Sequence, residues 1–91
     1  MRELAYGERT LTREGGGDLI CRYTVLVRTL PPPVSCDSYG LRVSLEGTDE
    51  TEEVLDLTVL PERIAALAEA VRLGGVTPCA LADIVADWLG E

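Results

Sequence analysis

The stretch from Asp18 to Leu30 constrains the fold most, because it is the longest run of strand-forming residues in the chain. After Asp18, only Arg22 and Arg28 are charged in this stretch. Strand alternation places Leu19, Cys21, Tyr23, Val25 and Val27 on one face, and Ile20, Arg22, Thr24, Leu26 and Arg28 on the other. The first set has no charged side chain, so it predicts the core face of a central strand.

Three further strands are predicted around this one. Their ranges are Arg2 to Thr12, with a bend near Gly7, then Tyr39 to Glu46, and finally Glu53 to Val59. The glycine-rich segment Arg13 to Asp18 predicts a hairpin turn, and the proline segment Leu30 to Val34 predicts a stiff connector outside the sheet. We expect Tyr39, Leu41, Val43 and Leu45 to point inward, and Leu55, Leu57 and Val59 to share one side. Short links between successive strands favour an antiparallel meander.

Two helices are predicted after the strands. Pro61 suits a first helical position, and Gly74-Gly75 suits a helix end. The apolar stripe of the first helix contains Leu60, Ile64, Leu67, Ala68 and Val71. Thr77-Pro78 predicts the start of a second helix, whose stripe contains Leu81, Ile84, Val85 and Trp88. The first helix is also apolar behind its stripe, at Ala66, Ala70 and Leu73, which indicates packing against the second helix or a homodimer contact.

The predicted fold is therefore α+β: an antiparallel sheet of about four strands followed by two C-terminal helices packed on one face. A chain of 91 residues is expected to form one domain, 1–91, with a modest core that association would stabilise. No apolar run is long enough to span a bilayer, and no apolar segment follows the N-terminus as in a secretory signal. We therefore expect a cytoplasmic protein without a membrane partner.

Charge is distributed unevenly along the chain, whose net charge is −8. Residues 1–45 contain six Arg and five acidic residues, whereas residues 46–91 contain two Arg and eleven acidic residues. The second half therefore has a net charge of −9 (2 − 11), which disfavours a nucleic-acid partner.

The missing residue types exclude several kinds of catalysis. The chain has no His and no Lys, so Ser/His/Asp and Cys/His arrangements, Schiff-base lysines and Lys-dependent phosphate loops are excluded. The three cysteines, Cys21, Cys36 and Cys79, have no metal-ligand or disulfide spacing and are interpreted as reduced thiols. These observations predict a non-enzymatic protein without a cofactor or a metal.

Cys36 is the one candidate reactive thiol. It lies beside Asp37 in the segment Ser35 to Gly40, and an adjacent carboxylate disfavours the nucleophilic thiolate. We therefore interpret the segment as a structural turn, with a reactive or redox-sensitive Cys36 as the alternative.

Arg22, Leu26, Arg28 and Arg42 form the candidate interaction surface, because alternation places them on the sheet face away from the helices. A mixed surface of Arg and apolar residues is typical of protein interfaces. These arginines could instead pair with Glu46, Asp56 or neighbouring acids on an open face. The leading hypothesis is a protein-interaction module whose partner is a second copy or another protein. The alternative is a module that binds a small anionic ligand through the same arginines.

Three segments of the chain resemble an uncharacterised family of short bacterial proteins, a domain of unknown function. They are the centre of the second strand, Tyr23 to Val27, the segment Ser35 to Gly40, and Gly75 to Pro78 followed by Leu81, Asp83, Val85, Asp87, Trp88 and Leu89. The resemblance covers most of residues 19–89 and agrees with an order of strands followed by helices. It implies no activity, cofactor or partner.

Overall fold

The computed structural model describes residues 1–12 and 15–90 and contains a four-stranded sheet followed by helices. The strands are β1 (Arg2–Thr12), β2 (Asp18–Thr29), β3 (Asp37–Leu45) and β4 (Thr51–Thr58). The helices are α1 (Pro61–Leu73) and α2 (Leu81–Leu89), and a single 3₁₀ turn, Pro78–Ala80, lies between them. All neighbouring strands are antiparallel in the order β1-β2-β3-β4, which confirms the predicted meander. The predicted hairpin turn falls partly on residues 13 and 14, outside the described residues.

The core lies between the predicted face of β2 and the helices. Cys21, Tyr23, Val25 and Val27 of β2 are buried together with Leu41, Val43 and Leu45 of β3. Helix α1 covers them with Ile64, Leu67, Ala68 and Val71. Full burial of an aliphatic side chain contributes about 1.5–3 kcal/mol, so this layer supplies most of the stabilisation. The predicted core face of β2 is confirmed, and the structure shows that the helices cover this face.

The prediction for β4 is wrong in one respect, because the strand contains a bulge. Tyr39 pairs with Thr58 and Leu41 pairs with Val54, so three residues of β4 lie opposite the one residue between them on β3. Asp56, inside this bulge, has a φ of 55°. Alternation is broken inside the bulge, so Leu55 and Leu57 do not share one side as predicted.

The apolar residues of β4 therefore lie on both faces of the sheet. Val54 and Leu57 pack against the core, whereas Leu55 borders Leu26 on the opposite face of the sheet. Val59 follows the last residue of the strand and is half-exposed. The alternating pattern predicted for β4 would have required an unbroken ladder.

The two helices do not pack against each other along their length. Ala66, Ala70 and Leu73 on the rear of α1 are all exposed, so the interpretation that α2 covers them is wrong. The short α2 instead contacts β4. The two helices are joined near one end, where the Arg63 guanidinium lies 4.6 Å from the centre of the Trp88 ring.

Two residues of the predicted apolar stripes are not buried, and the second helix begins later than predicted. Leu60 precedes α1 and is 45% exposed, and Ile84 on α2 is 37% exposed, while Leu81 and Val85 are buried as expected. Thr77-Pro78 begins the 3₁₀ turn, and α2 itself begins three residues later. Neither helix, in the part of the chain that the structure describes, has the length and apolar character needed to cross a membrane.

Candidate interaction surfaces

Each arginine of the open sheet face, the side away from the helices, bonds to a carboxylate. The pairs are Arg22 with Glu46 at 2.7 Å, Arg28 with Asp56 at 2.8 Å, and Arg42 with Glu3 at 2.6 Å and with Glu53 at 2.9 Å. Exposed pairs of this kind contribute about 0–1 kcal/mol each. Three cations facing four carboxylates leave no net positive charge, so the geometry gives no support to an anion site at these arginines.

Leu26 does not lie on the surface of this face, which corrects one member of the candidate set. Its side chain is 1% exposed. The residue opposite it on β3 is Gly40, which has no side chain, and Leu55 and Met1 border the same small hollow. A partner that docks on the open sheet face would therefore meet Leu55 and Met1 before Leu26.

The ion pairs of the open face predict a loss of stability in acid. The hydrogen bonds from Arg28, followed by that from Ser38, hold the pKa of the Asp56 carboxyl below its ordinary value of 3.8. The folded chain therefore binds this proton less readily than the unfolded chain, and the stabilisation is present above pH 3.8 and lost as the pH falls. We expect urea unfolding of an Asp56→Asn variant to depend less on pH between about 5 and 3 than that of the parent. Asp49→Asn, in the β3–β4 turn, is the control and should keep the parent's dependence.

Cys36 lies at the end of the connector between β2 and β3. Its side chain is half-buried, and its carbonyl oxygen accepts a 2.8 Å hydrogen bond from the Leu30 N–H, which closes the connector. The neighbouring Asp37 accepts hydrogen bonds from Thr29 and Arg2, as a structural turn requires. Within residues 1–12 and 15–90, no three His, Cys, Asp or Glu side chains are grouped as metal ligands. Reactivity of Cys36 stays a prediction.

A groove between β1 and α1, here called the β1 groove, is the clearest concave apolar surface. It has a volume of about 300 Å³ and lies where the N-terminal turn of α1 leaves the sheet uncovered. Its walls include Leu4, Tyr6, Val25, Tyr39, Pro61, Ile64 and Ala65. Leu4 is 52% exposed although it lies on the helix side of the sheet. The surface is large enough to receive apolar side chains from another molecule.

One wall of the β1 groove is fixed by a polar contact across the layers. Tyr6 on β1 donates a hydrogen bond to Glu69 on α1, and Glu69 also accepts from Arg72. Arg72, followed by Tyr6, holds the pKa of the Glu69 carboxyl below its ordinary value. The same hydrogen bond raises the pKa of the Tyr6 phenol. The ring of Tyr6 is therefore held in place beside Leu4.

The outer edge of β1 borders this groove. β1 has β2 as its one strand neighbour, so its N–H and C=O groups on the far side have no strand partner within the described residues. Sequence reasoning identified the strand but not the surface. Two facts could have predicted this surface: the first strand of a meander is an edge strand, and Leu4 and Tyr6 are apolar side chains on that strand.

Comparison with known proteins places the chain in one family. A family model, that of a family of unknown function designated DUF6514, matches residues 2–91. None of the curated proteins and none of the solved structures matches the chain. The match extends over all four strands and both helices, so the resemblance noted from Tyr23 to Val27 and from Ser35 to Gly40 is confirmed. The chain belongs to DUF6514, a family of unknown function.

Proposed function

We propose that this chain is a non-enzymatic protein-interaction module that binds an extended segment of a protein along the outer edge of β1. The observation that carries the proposal is the combination of an unpaired edge strand with an adjoining apolar groove. In strand addition, main-chain hydrogen bonds supply affinity and pockets for alternate side chains supply specificity. The β1 edge offers the first element and the β1 groove the second.

The open sheet face supports this role less well than the β1 edge does. Its arginines are already engaged with carboxylates, and a docking protein would have to displace or desolvate those pairs. At the β1 edge, by contrast, Leu4 and the backbone are accessible without breaking an existing contact. We therefore place the contact surface on β1, with the open sheet face as the competing location.

The experiment is an affinity capture from lysate with three tagged forms of the chain, read by mass spectrometry. Thr10→Glu alters the β1 edge at an exposed residue, and Arg22→Glu/Arg28→Glu alters the open sheet face. We expect the parent and the double variant to retain the same partner and the Thr10→Glu form to lose it. Loss from the double variant alone would move the contact to the open sheet face. Failure of the parent to retain any protein, its own untagged copy included, would contradict the proposal.

A further inference from the structure

We infer that the segment bound at the β1 edge is β1 of a second copy of this chain, so that two copies form one continuous eight-stranded sheet. This inference rests on the proposed function, because it names the partner at the same surface. It follows from the charge of the two sheet edges, from the order of residues along β1, and from the position of the apolar groove.

The two edges of the sheet differ in charge. β4 itself contains Glu52, Glu53 and Asp56 and no arginine, although Arg42 and Arg28 of the inner strands bond to Glu53 and Asp56. An excess of like charge on an edge strand opposes its pairing with a second copy of the same strand. β1 carries two arginines and two glutamates, so its net charge is zero in a chain of net charge −8. Two copies of an acidic chain repel each other over most of their surface, and β1 is the edge at which that repulsion is absent.

The order of residues along β1 admits an antiparallel pairing with itself. Residues that oppose each other across two antiparallel strands must point to the same face. The β2 partners show that Tyr6 is an extra residue at a bulge, since Ala5 pairs with Thr24 and Gly7 pairs with Tyr23. With Tyr6 left out of the count, a two-fold axis through Gly7 brings residues of the same face together along the strand.

This register opposes no like charges. It places Arg2 opposite Leu11, Glu3 opposite Thr10, Leu4 opposite Arg9, and Ala5 opposite Glu8 of the second copy. The two neighbouring registers that also keep side chains of the same face opposite each other do oppose like charges. One places Arg2 opposite Arg9 and Glu3 opposite Glu8, and the other places Glu8 opposite Glu8 of the second copy. Like charges directly opposite each other destabilise a strand pair. The pairing about Gly7 is therefore selected by charge.

The apolar surface beside β1 favours the same assembly. A two-fold axis perpendicular to the sheet keeps both sets of helices on one side, so the two β1 grooves would adjoin across the axis. The exposed Leu4 of each copy then lies on the side of the new sheet where the other copy's groove opens. Burial of this surface would add to the small core that a 91-residue chain can form.

The test measures the dimer dissociation constant by sedimentation equilibrium for the parent and for a pair of opposite charge variants at one exposed residue. Thr10 faces Glu3 of the second copy in this register, and the contact occurs twice. We expect Thr10→Glu to raise the dissociation constant about tenfold and Thr10→Arg to lower it about tenfold, from opposed charge contacts of ordinary strength. Thr51→Glu and Thr51→Arg, at the start of the other edge strand, are the matched controls and should leave it unchanged.

The outcomes separate this inference from the proposed function. A parent that stays monomeric at every concentration overturns the second copy as the partner. If Thr10→Glu nevertheless abolishes capture of another protein, the proposed function at the β1 edge stands. Equal effects of Thr10→Glu and Thr10→Arg on a dimer would also overturn the register, because a loss of packing alone does not depend on the sign of the charge. A monomer that captures no protein contradicts both proposals.

Discussion

Replacement of Gly40 by Ala is expected to destabilise the fold by about 3 kcal/mol, near the upper end for an overpacked site. A Cβ atom on Gly40 would clash with the Val54 carbonyl oxygen and would lie 2.9 Å from the Leu55 Cα. Both contacts are with backbone, so no side-chain rotation relieves them. The β4 bulge, which crosses Gly40 at this close approach, would have to move away from β3.

Urea unfolding followed by the fluorescence of Trp88, the single tryptophan of the chain, measures this effect. Gly90→Ala is the matched control, because a Cβ atom there meets its nearest neighbours at 3.6 Å and the residue already has an ordinary φ of −81°. We expect the control to change the free energy of unfolding by less than about 0.5 kcal/mol. A Gly40→Ala variant as stable as the control would show that the close approach of β4 is not needed for the fold.

The pattern of β2 and β3 was sufficient to predict the sheet and its buried side. Five alternating uncharged residues from Leu19 to Val27 admit one strand register, because a shift of one residue would bury Arg22 and Arg28. The helices followed from Pro61, from Gly74-Gly75 and from the 3.6-residue period between them. Residues close together in the sequence determine these features, so one sequence is enough to predict them.

The features that the sequence did not reveal depend on contacts between distant residues. Leu57 faces the core together with Val54 because the bulge lies opposite Gly40, a pairing that joins residues in different strands. Leu26 is buried by the same arrangement, although alternation assigns it to an open face. The rear of α1 is exposed because α2 is only nine residues long and lies against β4. The spacing of apolar residues within one strand or helix does not predict these contacts between elements.

For the candidate surfaces, the sequence predicted which arginines share a face but not how they are engaged. Glu3 and Glu53 reach Arg42 from both edge strands, and this depends on the strand order rather than on any local motif. The β1 groove depends in turn on how far α1 extends over the sheet. A groove between the sheet and a helix can therefore be identified only when the position of the helix on the sheet is known.

The largest loss of stability is expected from Leu67→Ala, about 2–5 kcal/mol. Leu67 is 1% exposed and packs between α1 and the buried face of the sheet. Removal of its three outer carbon atoms takes away buried apolar surface and leaves a cavity. Both effects lower the free energy of unfolding, because a protein interior is packed as densely as an organic crystal. For a domain of this size the total stability is about 5–14 kcal/mol, so the variant would lose a large share of it and unfold at a clearly lower urea concentration than the parent.

Leu73→Ala is the matched control in the same helix, with the same change of side chain and the same small gain in helix propensity. Leu73 is 56% exposed on the rear of α1, so we expect its replacement to change the free energy of unfolding by less than about 0.5 kcal/mol. Urea unfolding at micromolar concentration measures both variants, and sedimentation shows whether either changes the mass of the particle. A loss of more than about 2 kcal/mol in Leu73→Ala, accompanied by dissociation, would place the contact between copies on the rear of α1 instead of at β1. If two copies form the proposed β1-to-β1 sheet, Leu73→Ala should retain it, because that sheet leaves the rear of α1 in solvent.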